Sequence, residues 1–204
     1  MHFSVSALVV IALSSSVLAT PIWGKGWGGS EDSKYKDIKK YGGHSEQKYN
    51  SMFYFDKTYT VKAYPDQVVS GNGSAATPAP GEHGAKGLFK FGINVAENVI
   101  CYNITLSGVT GEYSSQANTA THIHEAVEGA NGPPRLAFPN PQGPDNRRVS
   151  YGCLTGPFET GIVQNGEDTG AGFHVEQIVE NPSGFFSDSH TAKFVPGVVR
   201  GQLA

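Results

Sequence analysis

Leu88-Phe89-Lys90-Phe91-Gly92-Ile93-Asn94-Val95, then Ala96-Glu97-Asn98, then Val99-Ile100-Cys101-Tyr102-Asn103-Ile104-Thr105-Leu106 is the stretch whose reading decides the fold. Two runs rich in aromatic and β-branched residues flank a gap of hairpin size, so the chain folds back on itself as paired antiparallel strands. Upstream, the stretch from Phe53 to Ala63 alternates apolar and polar residues, with Tyr59, Val61 and Ala63 on one side. Val68-Val69 ends at the turn residues Ser70-Gly71-Asn72-Gly73. Downstream, Thr121-His122-Ile123-His124-Glu125 and the terminal Gly197-Val198-Val199-Arg200-Gly201-Gln202-Leu203 read as further short strands. Only His174 to Glu180 places apolar groups at helical spacing, and Asn181-Pro182 stops it. With 26 Gly, 12 Pro and 11% aromatics, the expected architecture is an all-β, antiparallel, Greek-key-like sandwich with a short helix near 174–180.

The first residues carry a different signal. Ala7-Leu8-Val9-Val10-Ile11-Ala12-Leu13 is too short to span a bilayer and is followed by serines and then Val17-Leu18-Ala19. That order is the layout of a cleaved secretion signal ending at Ala19. From residue 20 to about 52 the chain is rich in Gly, Lys and aromatics and poor in aliphatic residues, so a flexible tail is expected there and one folded domain over 53–204. No other stretch approaches transmembrane length, and a net charge of −3 offers no basis for a nucleic-acid partner. The expected setting is extracellular, in contact with a protein or a cell-wall glycan.

Secretion governs the reading of the two cysteines. In an oxidising compartment an even pair is most simply a disulfide, and Cys101 and Cys153 lack the close spacing of a structural zinc site. Two glycosylation sequons suit the same compartment, at Asn72-Gly73-Ser74 in a loop and Asn103-Ile104-Thr105 within an expected strand. The second requires Asn103 to face solvent.

The chemistry gathers on Thr121 to Glu125. On a strand, His122 and His124 project to one face while Ile123 points into apolar packing. Two adjacent neutral imidazoles are a natural ligand pair for copper or zinc. Among the other histidines, His44, His83, His174 and His190, the last is best placed as a third ligand because it precedes the terminal strand. The alternative is that these histidines hydrogen-bond loop carbonyls and close the sandwich end, with Arg200 pairing internally with Glu125 or Asp188.

The combination Ala120-Thr121-His122-Ile123-His124, Gly132-Pro133, Asp188-Ser189-His190-Thr191-Ala192 and Val199-Arg200-Gly201-Gln202-Leu203 resembles the CHRD domain, over roughly Thr58 to Leu203. The resemblance implies an extracellular β-sandwich module with no family-wide catalytic activity. The chain departs from the family pattern at Glu125, where a small residue is usual, and at Phe186-Ser187-Asp188-Ser189, where the family has Tyr-Val-Asn-Val. The His-x-His strand is also similar to that of copper-zinc and copper-only superoxide dismutases. Their next histidine is missing from Phe138-Pro139-Asn140-Pro141, as is their zinc-binding cluster. The expected function is therefore that of a non-enzymatic binding module, with a copper or zinc site at His122, His124 and His190 as the alternative and dismutase activity as a minor variant of it.

Overall fold

The structure is a computed structural model that describes residues 54–203. The expected signal segment and tail, residues 1–52, lie outside the described residues. Among the described residues the chain forms twelve strands in order: β1 (Lys57–Ala63), β2 (Val69–Ser70), β3 (Thr77–Pro78), β4 (Lys86–Asn94), β5 (Val99–Ser107), β6 (Thr121–Glu125), β7 (Pro134–Phe138), β8 (Arg148–Thr155), β9 (Val163–Gln164), β10 (Glu167–Asp168), β11 (Phe185–Ser189) and β12 (Val199–Gln202). Two four-stranded antiparallel sheets, ordered β1-β4-β5-β8 and β12-β11-β6-β7, make the sandwich. The pairs β2-β3 and β9-β10 are small ribbons at its periphery.

The expected hairpin is β4-β5, in register from Lys86 opposite Ser107 to Asn94 opposite Val99. Asn98 closes it in the left-handed region, at φ 48°, which an Asn side chain tolerates better than most. Period two then sorts the side chains. Phe89, Phe91, Ile93, Ile100, Ile104 and Leu106 turn inward, where they meet Ile123, Leu136, Phe138 and Phe185 from the other sheet. Each such burial contributes roughly 1.5–3 kcal/mol, and the inward set is what holds the sheets together.

The second half of the hairpin also pairs with β8, placing Cys101 directly opposite Cys153. The two form a disulfide, as expected from the sequence. The helix α1 is shorter than its sequence pattern, Glu176–Glu180. Ahead of it the Gln177 side chain accepts the backbone N–H of His174 at 2.9 Å, a contact that closes the turn leading into the helix.

One corner explains the terminal Arg-Gly-Gln-Leu. Tyr64 and Arg200 exchange two backbone hydrogen bonds, 2.9 and 3.1 Å, which tie the end of β1 in the first sheet to β12 in the second. At Gly201 a Cβ would stand 2.6 Å from the Lys62 carbonyl oxygen and 2.7 Å from Val61 Cγ1. Only glycine permits that approach. Gln202 donates to the carbonyls of Ala126 and Ser183, each at 2.8 Å, and Leu203 enters the core.

Candidate metal centre

Strand pairing assembles the site. In the β11-β6 register Asp188 faces His122 and Phe186 faces His124, so these four side chains share one face, opposite the core-facing Ile123 and Ser187. His190 follows β11 by one residue, and its backbone N–H donates to the Ala120 carbonyl at 2.8 Å. Being two residues beyond Asp188, it adds a third imidazole to the same face. The site thus lies on the outer face of the second sheet.

Each imidazole is anchored from behind. His122 Nε2–H donates to the Thr119 carbonyl at 2.7 Å, His124 Nδ1–H to that of Gly132 at 2.8 Å, and His190 Nδ1–H to that of Val195 at 2.8 Å. A carbonyl can only accept, so each contact places the proton of a neutral ring on the outward nitrogen. The inward nitrogens then present lone pairs. They converge on Asp188: His190 Nε2 is 3.0 Å and His124 Nε2 3.3 Å from its Oδ2, and His122 Nδ1 is 3.5 Å from its Oδ1. The Gly132 contact also accounts for Gly132-Pro133, because a Cβ at Gly132 would lie 2.0 Å from the Glu125 carbonyl oxygen.

Lone pairs turned toward a carboxylate repel it unless a proton or a metal cation lies between them. His122 Nδ1, His124 Nε2 and Asp188 Oδ1 are buried without a hydrogen-bond partner, a costly arrangement for polar atoms in a protein interior. The four inward ligand atoms all lie within 4.8 Å of one another. Ligands of a tetrahedral zinc ion, bound at about 2.0–2.1 Å, stand roughly 3.3 Å apart, which matches the three histidine-to-aspartate distances. Three imidazoles and a carboxylate, each imidazole with its second nitrogen hydrogen-bonded, are a donor set suited to zinc or copper.

When no cation is bound, a proton on an inward nitrogen takes its place beside Asp188. Burial acts to raise the Asp188 carboxyl, but the charges that His124 and His190 carry when protonated, together with the close contacts of His122 and His124, outweigh it and hold it well below the usual carboxylate range. Burial pushes His122 down and keeps it neutral. At His190 burial also acts downward, but the Asp188 charge and hydrogen bond prevail and raise it.

Around the donors, Arg200 packs its guanidinium 3.5 Å above the Phe186 ring, and Phe186 in turn stacks on the His124 ring, with centroids 4.8 Å apart and planes 7° from parallel. Arg200 Nη2 donates to the Ala130 carbonyl at 2.7 Å. Glu125 pairs instead with Arg135, whose Nε and Nη2 both stand 2.7 Å from its carboxylate. The expected pairing of Arg200 with Glu125 is therefore replaced, because Glu125 ends β6 beside Arg135 on β7. With Asp188, Arg200 interacts by charge across the strand pair.

The three histidines, but not Asp188, line an open cavity of about 390 Å³ whose walls include Ser114, Gln116, Pro133, Ile162, Gln164 and Val195. His83 and His174 are exposed and stand outside the cluster, while His44 lies outside the described residues. The loop carbonyl contacts anticipated from the sequence are present, and they are the outer support of the donor set. The residue that sequence reasoning missed as a donor is Asp188. The signal was available: Asp188 and His190 are two apart, the same period that aligns His122 with His124.

Residues 68–203 match the model of the CHRD domain. No curated protein and no solved structure matches the chain. The matched span covers about two thirds of the sequence and contains all four donors together with the Arg-Gly-Gln-Leu corner, and on that match the chain belongs to the CHRD-domain family.

Proposed function

We propose that this protein is an extracellular CHRD module that binds one zinc or copper ion through His122, His124, Asp188 and His190. The observation that carries this reading is the convergence of four inward donor atoms whose imidazoles are each tied outward to a backbone carbonyl. When bound, the ion supplies the positive charge that Asp188 and the inward lone pairs need, and it closes the outer face of β6 and β11. The chain's residues orient the donors, and Arg200 and Phe186 hold the His124 ring. Support for the extracellular setting comes from the leader-like residues 1–19 and from the disulfide. Among the described residues no helix is long and apolar enough to cross a membrane.

The test is elemental mass spectrometry of protein purified from medium replete in both metals, followed by titration of chelator-treated protein. One equivalent is expected, lost in the His122→Ala, His124→Ala double variant. Less than about a tenth of an equivalent, with no uptake on titration, overturns the reading. Saturating metal at a hundredfold excess over Kd should stabilise the fold by about 2.7 kcal/mol.

A further inference from the structure

The outer face of the first sheet carries a feature that the metal centre does not use. Asn103 is exposed on the central strand β5, and its direct cross-strand neighbours are Lys90 on β4 and Tyr151 on β8. Tyr151 is 77% exposed, the most exposed large hydrophobic side chain among the described residues. Thr105, the hydroxyl residue of the Asn103-Ile104-Thr105 sequon, lies two residues on and on the same face. The Cys101–Cys153 disulfide sits two pairs further along the same two strands. It therefore locks the register that puts Asn103 opposite Tyr151. Directly opposed residues hold their Cβ atoms about 4.5–5.5 Å apart, within reach of a sugar ring attached to the amide.

We propose that Asn103 carries an N-linked glycan and that the Tyr151 ring is the platform on which its first N-acetylglucosamine packs. This rests on the extracellular reading above. A strand position is no obstacle, because attachment precedes folding and the folded sheet leaves the Asn103 amide facing solvent. The apolar face of a pyranose covers the aromatic ring, leaving its hydroxyls and acetamido group in water beside Lys90. An exposed aromatic in a solvated sheet face thereby acquires a partner.

The experiment expresses the full chain with its own leader in a eukaryotic secretory host and maps glycans by mass spectrometry before and after N-glycosidase treatment. Occupancy of Asn103 is expected, lost in Thr105→Ala. Tyr151→Ala should lower the melting temperature of the glycosylated protein by about 2–4 °C and leave that of the Asn103→Gln protein unchanged, while Tyr151→Phe behaves as wild type. Asn72, in an exposed loop, serves as the internal control. Glycan on Asn72 with none on Asn103 overturns the inference while sparing the extracellular reading. An occupied Asn103 with equal Tyr151→Ala shifts in both backgrounds overturns the platform. Both sequons bare, with the leader retained, overturns the extracellular reading and this inference with it.

Discussion

His190 Nε2 lies 3.0 Å from Asp188 Oδ2, on a carboxylate group that also stands 3.3 Å from His124 Nε2 and 3.5 Å from His122 Nδ1. One buried carboxylate thus faces three imidazoles from three different backbone positions. Asp188→Asn keeps the shape, removes the charge and turns one ligand atom into a donor. Metal affinity should fall by at least about tenfold, measured by competition against a chromophoric chelator. Unchanged affinity would show that Asp188 orients the histidines without binding the ion.

Arg200 acts on the site through Phe186 and His124. Arg200→Lys keeps a positive charge but loses the planar stack and the geometry of the Ala130 contact. We expect a stability loss of about 1–2 kcal/mol and a smaller fall in metal affinity than that of Asp188→Asn, read by denaturant melts and the same competition assay. Wild-type stability in Arg200→Lys would remove the guanidinium stack from the account of the fold.

Asp168 braces the loop that leads to Ile162 in the cavity wall. Its carboxylate accepts the backbone N–H groups of Thr160, Gly161 and Gly170 at 2.9, 2.7 and 2.7 Å. Burial acts to raise its pKa, but these bonds and the Thr160 hydroxyl outweigh it and lower it. A folded value below the unfolded one means that the contribution is complete above the unfolded carboxylate value of about 3.9 and is lost as pH falls through the folded value. Asp168→Asn should therefore flatten the acid limb of a stability profile taken between about pH 6 and about pH 2. An acid limb identical to wild type would assign it to other carboxylates.

The disulfide closes a 52-residue separation, for which the chain-entropy model predicts a stabilisation of about 4 kcal/mol. The Cys101→Ser, Cys153→Ser double variant should lose much of this, measured as a fall in the denaturant midpoint with a steeper slope, because the unlinked unfolded chain exposes more surface. Intact mass of the wild type should rise by two hydrogens on reduction.

The local pattern of this chain was legible because strand structure is written with a period of two. Phe89, Phe91 and Ile93 declare an inward face, and His122 and His124 declare that Ile123 faces the other way. The cysteine pair was readable for a compositional reason, there being only two. The helix start at Glu176 and the Glu125–Arg135 pair were not, since each depends on side chains brought in by neighbouring elements.

What the sequence determined by itself is therefore the class of fold and the common face of His122 and His124, both consequences of alternation along strands. Only the tertiary structure decided that Asp188 joins His122, His124 and His190, because β11 reaches β6 across more than sixty residues and register is a property of the pair of strands. The same holds for the three carbonyls of Thr119, Gly132 and Val195. They come from loops whose paths are set by packing, and they alone determine which nitrogen of each imidazole is left to face inward.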